Sequence, residues 1–228
     1  MNQQYDIHLT VCPGALTGEQ VFLCRHYLQR YMGDYPKELQ QFFLVGISYK
    51  KSDAATRSRF AVQPEQYEAI LQLAAQSSIA ELFVLSTCNR TEIYGIARDA
   101  DQLISLLCQV TGEPAALFKS IAYIHRGKGA VNHLFEVAAG LDSQILGDYE
   151  IVGQIKTAIR IAKEAQMVGS FIERLYNQVL QASKQIKNNT ALSAGTVSVA
   201  FATIQYLREA VPDIANKKVL LVGTGKIG

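Results

Sequence analysis

The apolar residues between Phe42 and Arg126 form two kinds of pattern: short runs, and longer segments with helical spacing. Four short apolar runs are rich in β-branched and aromatic residues and too short for helices, so each predicts a strand; they are FFLVGISY, ELFVLST, TEIYGIA and SIAYIH. Two longer segments, EQYEAILQLAAQ and DQLISLLCQV, repeat apolar residues at helical spacing. Pro64 and Asp99 stand where they can begin these helices. The polar KKSDAATRSR between the first strand and the first helix predicts a loop.

The resulting order of strand, helix, strand, strand, helix and strand is that of a ferredoxin-like split βαβ sandwich. In this α+β fold, helices cover one side of an antiparallel sheet. The second and third strands are separated only by the polar residues CNR, which predicts a hairpin with Cys88 at its exposed tip. We therefore expect a first domain over residues 42–168, and we assign no chemistry to the extension formed by residues 1–41.

Helical spacing dominates the chain beyond Gly127, in four successive segments: AVNHLFEVAAG, IVGQIKTAIRIAKEAQ, SFIERLYNQVLQASKQIKNN and TVSVAFATIQYLREA. Such helices can form a stiff connector between two modules or a bundle on the first domain, and the pattern favours neither. Pro212 ends the last helix. The following VLLVG predicts a buried strand that enters a G-x-G-x-x-G turn at Gly223, Gly225 and Gly228. Such a turn after a strand is typical of a dinucleotide site, although a glycine-rich turn without a ligand fits the same letters.

The composition is that of a folded, soluble protein, since 49% of the 228 residues are hydrophobic and 18% are charged. The length allows two modest domains. No basic start precedes an apolar run, and no stretch approaches the roughly 20 apolar residues that span a bilayer, so we expect a cytoplasmic protein without membrane contact. A net charge of +2 is too small to indicate nucleic-acid binding by itself. Any RNA contact would come from local patches such as Lys50 and Lys51, or Lys184 and Lys187, which otherwise read as solvated surface lysines.

The four cysteines lack a C-x-x-C pair and are expected to be free thiols. Cys88 differs from the others because it lies between a strand and polar residues, whereas Cys12, Cys24 and Cys108 are expected to be inert core residues. A thiol becomes a nucleophile when nearby cations or N–H groups stabilise its thiolate. Arg90, two residues further on, is a candidate cation for this role.

His133 stands beside an apolar helical stripe, where an isolated histidine is usually structural. Asp148, Glu150 and Gln154 follow closely, so a polar cluster is expected near it. None of these spacings is typical of a metal ligand set, and no metal site is predicted.

Three blocks of the chain resemble glutamyl-tRNA reductase, in the family's order: LSTCNRTEIYG, AVNHLFEVAAGLDSQILGDYEIVGQIK, and NNTALSAGTVSVA leading to VLLVGTGKIG. The resemblance runs from about Phe42 to the last residue. It implies an N-terminal catalytic domain, long linker helices over residues 169–211, and the start of an NADPH-binding Rossmann-type domain over residues 212–228. The resemblance also implies a C-terminal helical domain that forms a V-shaped homodimer. The chain is expected to stop before it, at the first turn of the NADPH domain.

The resemblance implies that Cys88 is the nucleophile that attacks the aminoacyl ester, with His133 as a proton carrier or hydrogen-bond partner. It also implies a substrate pocket formed by nine residues: Arg57, Thr87, Asn89, Arg90, Glu92, Ser143, Asp148, Gln154 and Ser198. In this pocket Arg90 can clamp the substrate carboxylate in a bidentate fork instead of activating the thiol. The chain departs from the family at Asp148 and Glu150, where glutamate and glutamine are usual, and at YKKSD in place of H-K-T-A-P. A negative Glu150 would repel a glutamyl carboxylate, so it is left out of the pocket.

The implied reaction is the NADPH-dependent reduction of glutamyl-tRNA to glutamate-1-semialdehyde through a thioester on Cys88, at the start of tetrapyrrole biosynthesis. A thioester accepts hydride better than an ester, so covalent capture divides the reaction in two. NADPH would contact Gly223, Gly225 and Gly228 in an incomplete Rossmann unit, so the chain is expected to perform only the capture. The implied partners are glutamyl-tRNA, a second copy of the chain and glutamate-1-semialdehyde aminomutase. A non-catalytic tRNA-binding fragment and a small-molecule, thioester-forming aldehyde dehydrogenase are the alternatives.

Overall fold

The sheet has the strand order expected for a split βαβ sandwich. The computed structural model describes residues 37–144, 146–148, 150–190, 199–218 and 220. Its four strands are β1 (Phe42–Ser48), β2 (Glu81–Ser86), β3 (Arg90–Ile96) and β4 (Tyr123–Arg126). They form one sheet in the order β2-β3-β1-β4, and every neighbouring pair is antiparallel. The predicted α+β, ferredoxin-like fold is therefore confirmed.

Eight α-helices occur in the described part of the chain. They are α1 (Ala54–Arg59), α2 (Pro64–Gln76), α3 (Ala100–Thr111), α4 (Ala115–Ile121), α5 (Lys128–Ala138), α6 (Glu150–Glu164), α7 (Ser170–Asn189) and α8 (Val199–Ala210). The six helices predicted from apolar spacing are present. Pro64 begins α2, and the Asp99 side chain caps α3 by accepting a hydrogen bond from the N–H of Gln102. Apart from Leu220, the residues of the predicted Rossmann strand and of its glycine turn lie outside the described residues.

Two short helices were not expected from the sequence. The segment read as a loop contains α1, because Asp53 caps it by accepting a 2.7 Å hydrogen bond from the N–H of Thr56. No residue of α1 is buried, so it carries no apolar stripe that periodicity could detect. The second, α4, follows Pro114 and buries only Phe118. An apolar repeat cannot reveal such helices, because a repeat requires more than one buried residue.

Helices cover both faces of the sheet, which corrects the expectation of helices on one side. Every residue of β1 and β3 is buried, although neighbouring side chains in a strand point to opposite faces. On one face Phe42 packs on Phe171 of α7, with ring centroids 5.1 Å apart. On the other face Gly95 lies against Leu103 of α3. The near-continuous apolar run of β1 is typical of such a two-sided burial.

Glu81, the first residue of β2, ties the sheet to α7. Its carboxylate accepts hydrogen bonds from the N–H groups of Phe171 at 3.2 Å and Ile172 at 2.7 Å. These donors belong to the first helical turn and have no partner within the helix. Gly169 permits the close approach, since a Cβ there would lie 2.7 Å from Glu81 Cδ. The helix α7 therefore packs on the sheet from its first turn, as part of a bundle on the first domain.

The described residues contain neither a helix that is both long and apolar enough to cross a membrane nor a group of three or more His, Cys, Asp and Glu side chains able to hold a metal ion.

Candidate active site

Cys88 lies at the tip of the β2–β3 hairpin, as predicted, and its side chain is exposed. Thr87 shapes the turn: its N–H donates to the Arg90 carbonyl at 2.8 Å, and its Oγ1 accepts from the N–H groups of Asn89 and Arg90 at 3.1 and 3.2 Å. Thr87 and Asn89 thus hold the loop that presents the thiol. Cys108, the other cysteine in the described ranges, is buried, and burial raises its pKa.

The segment before α1 wraps around this tip. The N–H of Tyr49 donates to the Asn89 carbonyl at 2.9 Å. The Arg57 side chain donates from Nε to the Cys88 carbonyl at 3.4 Å and also to the Ser52 carbonyl. A half-buried cation therefore lies beside the Cys88 backbone. This placement depends on α1, the helix that the sequence did not reveal.

Glu92, a residue of β3, lies at the centre of a buried polar cluster and is fully shielded from solvent. Its Oε1 accepts hydrogen bonds from Arg90 Nη1 at 2.9 Å, the Tyr123 hydroxyl at 2.5 Å and His133 Nε2 at 2.7 Å. Its Oε2 accepts from the Tyr94 hydroxyl at 2.8 Å. Both oxygens are therefore occupied by protein donors, which leaves Glu92 poorly placed to contact a substrate.

The charge state of Glu92 follows from these partners. Burial by itself raises the pKa of Glu92, but Arg90 and His133 outweigh it and lower the pKa to about 2. The carboxylate is thus ionised at neutral pH and can only accept hydrogen bonds. It follows that His133 carries a proton on Nε2, and its Nδ1 is the nitrogen left for proton transfer.

Arg90 is also buried, with 1% of its side chain exposed. Besides Glu92, its Nη1 donates to Asp142 Oδ2 at 3.0 Å, and its Nη2 donates to the Asp142 carbonyl. Burial favours loss of its proton, but Glu92, Tyr123 and Asp142 together raise the pKa of Arg90, so the guanidinium stays charged. Asp142 also pairs with Lys50 at the surface. The guanidinium is therefore engaged by two internal carboxylates instead of lying open to the thiol or to a substrate.

Sequence reasoning did not single out three members of this cluster, Asp142, Tyr123 and His125. The rings of Tyr123 and His125 each lie 5.2 Å from the His133 ring. Burial, and then His133, lower the pKa of His125. The alternation in SIAYIH places Tyr123 and His125 on one face of β4, and Asp142 is the carboxylate of the G-L-D-S block. The alternation and the carboxylate were both visible in the sequence, although neither indicates which residue the side chain contacts.

The remaining residues expected in the site have other described neighbours. Asp148 accepts a 2.9 Å hydrogen bond from the N–H of Glu150. Glu150 and Gln154 line a separate cavity, and Ser143 lies half-buried in the loop that carries Asp142. The described contacts of His133 are with Glu92, Tyr123 and His125. The expected cluster with Asp148, Glu150 and Gln154 stays a prediction. Four further expected residues lie outside the described ranges: Ser198, Gly223, Gly225 and Gly228.

Gly46 of β1 leaves the space that Glu92 and Tyr123 occupy. A Cβ at Gly46 would lie 2.7 Å from Glu92 Cγ and 3.1 Å from the Tyr123 ring. We expect Gly46→Ala to lower the free energy of unfolding by about 1–3 kcal/mol, because the buried cluster must shift. Urea denaturation would measure the loss. Gly153→Ala is the control, since a Cβ there meets nothing within 4 Å. Equal stability of the Gly46→Ala protein and the parent would contradict this account of Gly46.

Comparisons with known proteins identify the family of the chain. The model of the family described as "Glutamyl-tRNAGlu reductase, N-terminal domain" matches residues 45–190. The chain is 47% identical over 189 residues to a glutamyl-tRNA reductase from Christiangramia forsetii, a match covering 83% of this chain and 45% of that protein. It is 48% identical over 187 residues to one from Flavobacterium psychrophilum, covering 82% and 45% of the two chains.

The fold agrees as well. The solved structure of glutamyl-tRNA reductase from Methanopyrus kandleri matches with a TM-score of 0.61 at 26% identity, covering 75% of this chain and 40% of that one. The chain thus spans less than half the length of these relatives. The family match covers more than half of the chain and includes the Cys88 hairpin and the buried cluster. This chain therefore belongs to the glutamyl-tRNA reductase family and contains its N-terminal domain.

Proposed function

We propose that this chain captures the glutamyl group of glutamyl-tRNA on Cys88 as a thioester, the first half of an NADPH-dependent reduction to glutamate-1-semialdehyde. The observation that carries the proposal is the exposed Cys88 thiol, held at a hairpin tip two residues before Arg90, a member of the buried, hydrogen-bonded Glu92 cluster. Catalytic side chains need such a support, because a nucleophile acts only when its position is well defined. Membership of the family supports the substrate.

Capture transfers the glutamyl acyl group from the ribose oxygen of the tRNA to the sulfur of Cys88. The Cys88 thiolate attacks the ester carbonyl carbon, and a C–S bond forms as the carbonyl becomes tetrahedral. The C–O bond to the ribose then breaks, and the ribose oxygen takes a proton. We assign that proton to His133: Nδ1 takes it from the Cys88 thiol as the thiolate forms and then delivers it to the ribose oxygen, while Glu92 holds Nε2. The products are a glutamyl thioester on Cys88 and uncharged tRNA.

In this proposal Arg57 binds the substrate, whereas Arg90 has a positioning role. Arg57 is the cation placed at the tip, where it donates to the Cys88 carbonyl, and we assign it to the substrate's side-chain carboxylate. Arg90 is held by Glu92 and Asp142 and acts by positioning the start of β3, next to the turn that carries the thiol. Thr87 and Asn89 shape the turn. The direct clamp by Arg90 that the resemblance implied is thus replaced by an indirect role.

NADPH would supply the hydride that releases the semialdehyde. The residues that the glycine motif assigns to its pyrophosphate lie outside the described residues, so the capture step alone is derived from this structure. The same proposal includes a cytoplasmic homodimer that acts in tetrapyrrole biosynthesis, and glutamate-1-semialdehyde aminomutase as the enzyme that takes the product. Family membership is the support for these assignments.

Glutamyl-tRNA labelled in its glutamate tests the proposal. We expect label to remain on the protein after denaturation and to be released by hydroxylamine, as a thioester should be. Because the C–S bond forms before hydride arrives, capture should proceed equally with and without NADPH. Free labelled glutamate mixed with uncharged tRNA is the control and should leave no label.

Two other outcomes would contradict the proposal and favour the alternatives. Retention of the RNA without any label on the protein would indicate a non-catalytic tRNA-binding protein. Equal labelling from a small glutamyl thioester and from glutamyl-tRNA would indicate an aldehyde dehydrogenase of small molecules, because the RNA would then contribute nothing to recognition.

A further inference from the structure

His125 contacts His133 without belonging to the hydrogen-bonded cluster around Glu92. The strand β4 alternates half-buried and exposed residues, so Tyr123 and His125 share one face, whereas Ile124 is exposed on the other. The His125 ring lies 5.2 Å from the His133 ring, centroid to centroid, and the two planes are only 22° apart. The described hydrogen bonds to the Glu92 carboxylate come from other side chains. The contact between the two histidines is therefore one of stacked rings.

The first turn of α5 leaves room for this stack. Gly129 and His133 are four residues apart in α5 and are thus neighbours on one face of the helix. A Cβ at Gly129 would lie 3.8 Å from both Cβ and Nδ1 of His125, so any side chain longer than that of alanine would compete with the ring for space. The His125 ring therefore lies against two successive turns of α5.

The position of His133 requires more than its hydrogen bond to Glu92. That bond fixes Nε2, 2.7 Å from Glu92 Oε1, but it leaves the ring able to turn about the line from Cβ to Nε2. Such a turn moves Nδ1. A flat ring stacked on the imidazole opposes it, since aromatic pairs favour offset stacking with centroids about 4.5–7 Å apart. The Tyr123 ring is tilted by 45° against His133 and does not offer a parallel face. His125 is thus placed to fix the plane of the imidazole.

The charge of His125 suits this contact. Burial, and then His133, lower the pKa of His125, while three carboxylates, those of Glu92, Glu136 and Asp142, oppose the shift without outweighing it. The ring is therefore neutral at neutral pH. In the proposed capture His133 becomes a cation when Nδ1 takes the thiol proton. A second cation 5.2 Å away would oppose this transfer, whereas a neutral ring does not.

We propose that His125 is a positioning residue for the capture reaction, because its stacked ring fixes the plane of the His133 imidazole and with it the direction of Nδ1. The inference rests on the proposed function, in which Nδ1 carries the proton from Cys88 to the ribose oxygen. Proton transfer requires donor and acceptor within hydrogen-bond reach, so a ring that turns loses the transfer. In this role His125 exchanges no proton itself and acts only through His133.

Two apolar replacements separate the effect of a flat ring from that of filled space. His125→Phe keeps a neutral flat ring, whereas His125→Leu fills much of the same space without one. Ile124→Ala is the matched control, since Ile124 is exposed on the other face of β4. Capture of labelled glutamate from glutamyl-tRNA is measured in a single turnover at several RNA concentrations, and circular dichroism verifies the fold of each variant.

We expect His125→Leu to lower the maximal capture rate by about tenfold, a part of the roughly 10²–10⁴-fold that a positioned proton carrier contributes. The RNA concentration that gives half of this rate should not change, because His125 binds no substrate in this proposal. His125→Phe and Ile124→Ala should both stay close to the parent. Recovery of the rate by phenylalanine is the result that a space-filling role would not produce.

The motion of the His133 ring provides a second readout that does not depend on catalysis. Carbon-13 relaxation at Cε1 of His133 reports how rigidly the ring is held. We expect a rigid ring in the parent and in His125→Phe, and a mobile one in His125→Leu, with order parameters moving from about 0.85 towards 0.6, the usual limits for rigid and flexible groups.

Three results would overturn the positioning role: a His133 ring equally rigid in all variants, equal losses of rate in His125→Phe and His125→Leu, or a change in half-saturation alone. Failure of the proposed function would look different. The parent would then transfer no glutamate to Cys88, although His125→Leu would still loosen the His133 ring.

Discussion

Replacing Cys88 with serine is expected to abolish covalent capture of glutamate, reducing labelling by about three orders of magnitude or more. A serine hydroxyl keeps the shape of the side chain but ionises far less readily than a thiol, and the ionised form is the nucleophile. Because Cys88 is exposed at a turn held by backbone hydrogen bonds, the change should leave folding intact. Denaturing analysis after incubation with labelled glutamyl-tRNA measures the effect, and circular dichroism verifies the fold.

The other three cysteines provide matched controls for this experiment. Cys108→Ser should keep capture, because its thiol is buried against the apolar face of α3. We expect the same of Cys12→Ser and Cys24→Ser, which lie outside the described residues. Labelling of Cys88→Ser at the level of the parent would remove the nucleophile from the proposed mechanism, and loss of labelling in Cys108→Ser alone would transfer the role to that residue.

Replacing Arg90 with methionine is expected to lower the free energy of unfolding by about 3–5 kcal/mol, the usual cost of removing one partner of a buried ion pair. Methionine approximates the volume of the side chain but leaves the Glu92 carboxylate buried without its cation. The double variant Arg90→Met/Glu92→Gln should recover part of this loss, because the uncompensated charge is then removed. Urea denaturation at neutral pH measures both values.

Arg59 is the matched control for the buried arginine. It pairs with Glu113, but half of its side chain is exposed to solvent, so Arg59→Met should cost less than about 1 kcal/mol. If Arg90→Met and Arg59→Met lost equal stability, or if the double variant were less stable than Arg90→Met alone, the buried cluster would not have the organising role described here. Either result would also weaken the indirect function assigned to Arg90.

The elements of this fold were largely predictable because most of them bury an apolar face. The short runs of apolar and β-branched residues in β2 and β3 and the helical spacing in α2 and α3 depend on local geometry, and the structure follows both. The helix α1 escaped prediction because it buries no residue. Helices on the second face were not assigned to the sheet, because an amphipathic pattern reveals that a face is buried but not what covers it.

The candidate site was likewise predictable only in part. The exposure of Cys88 could be inferred because a polar turn between two strands exposes its central residue wherever the rest of the chain lies. The roles of Arg90 and Glu92 could not, since a charged side chain in a strand pattern says nothing of its partners. In the structure Arg90 meets Asp142, 52 residues away, and Glu92 meets His133, 41 residues away.

What the sequence determined by itself is therefore the sheet, the hairpin and the exposed thiol, since each follows from interactions between near neighbours in the chain. Only the tertiary structure decided that Glu92 holds His133 and that Arg90 is enclosed by two carboxylates. It also placed Gln154 and Glu150 in the wall of a cavity at the end of β2. The reason is physical: these hydrogen bonds and the cavity walls exist only once α5 and α6 have packed on the sheet, and packing joins residues that no local periodicity relates.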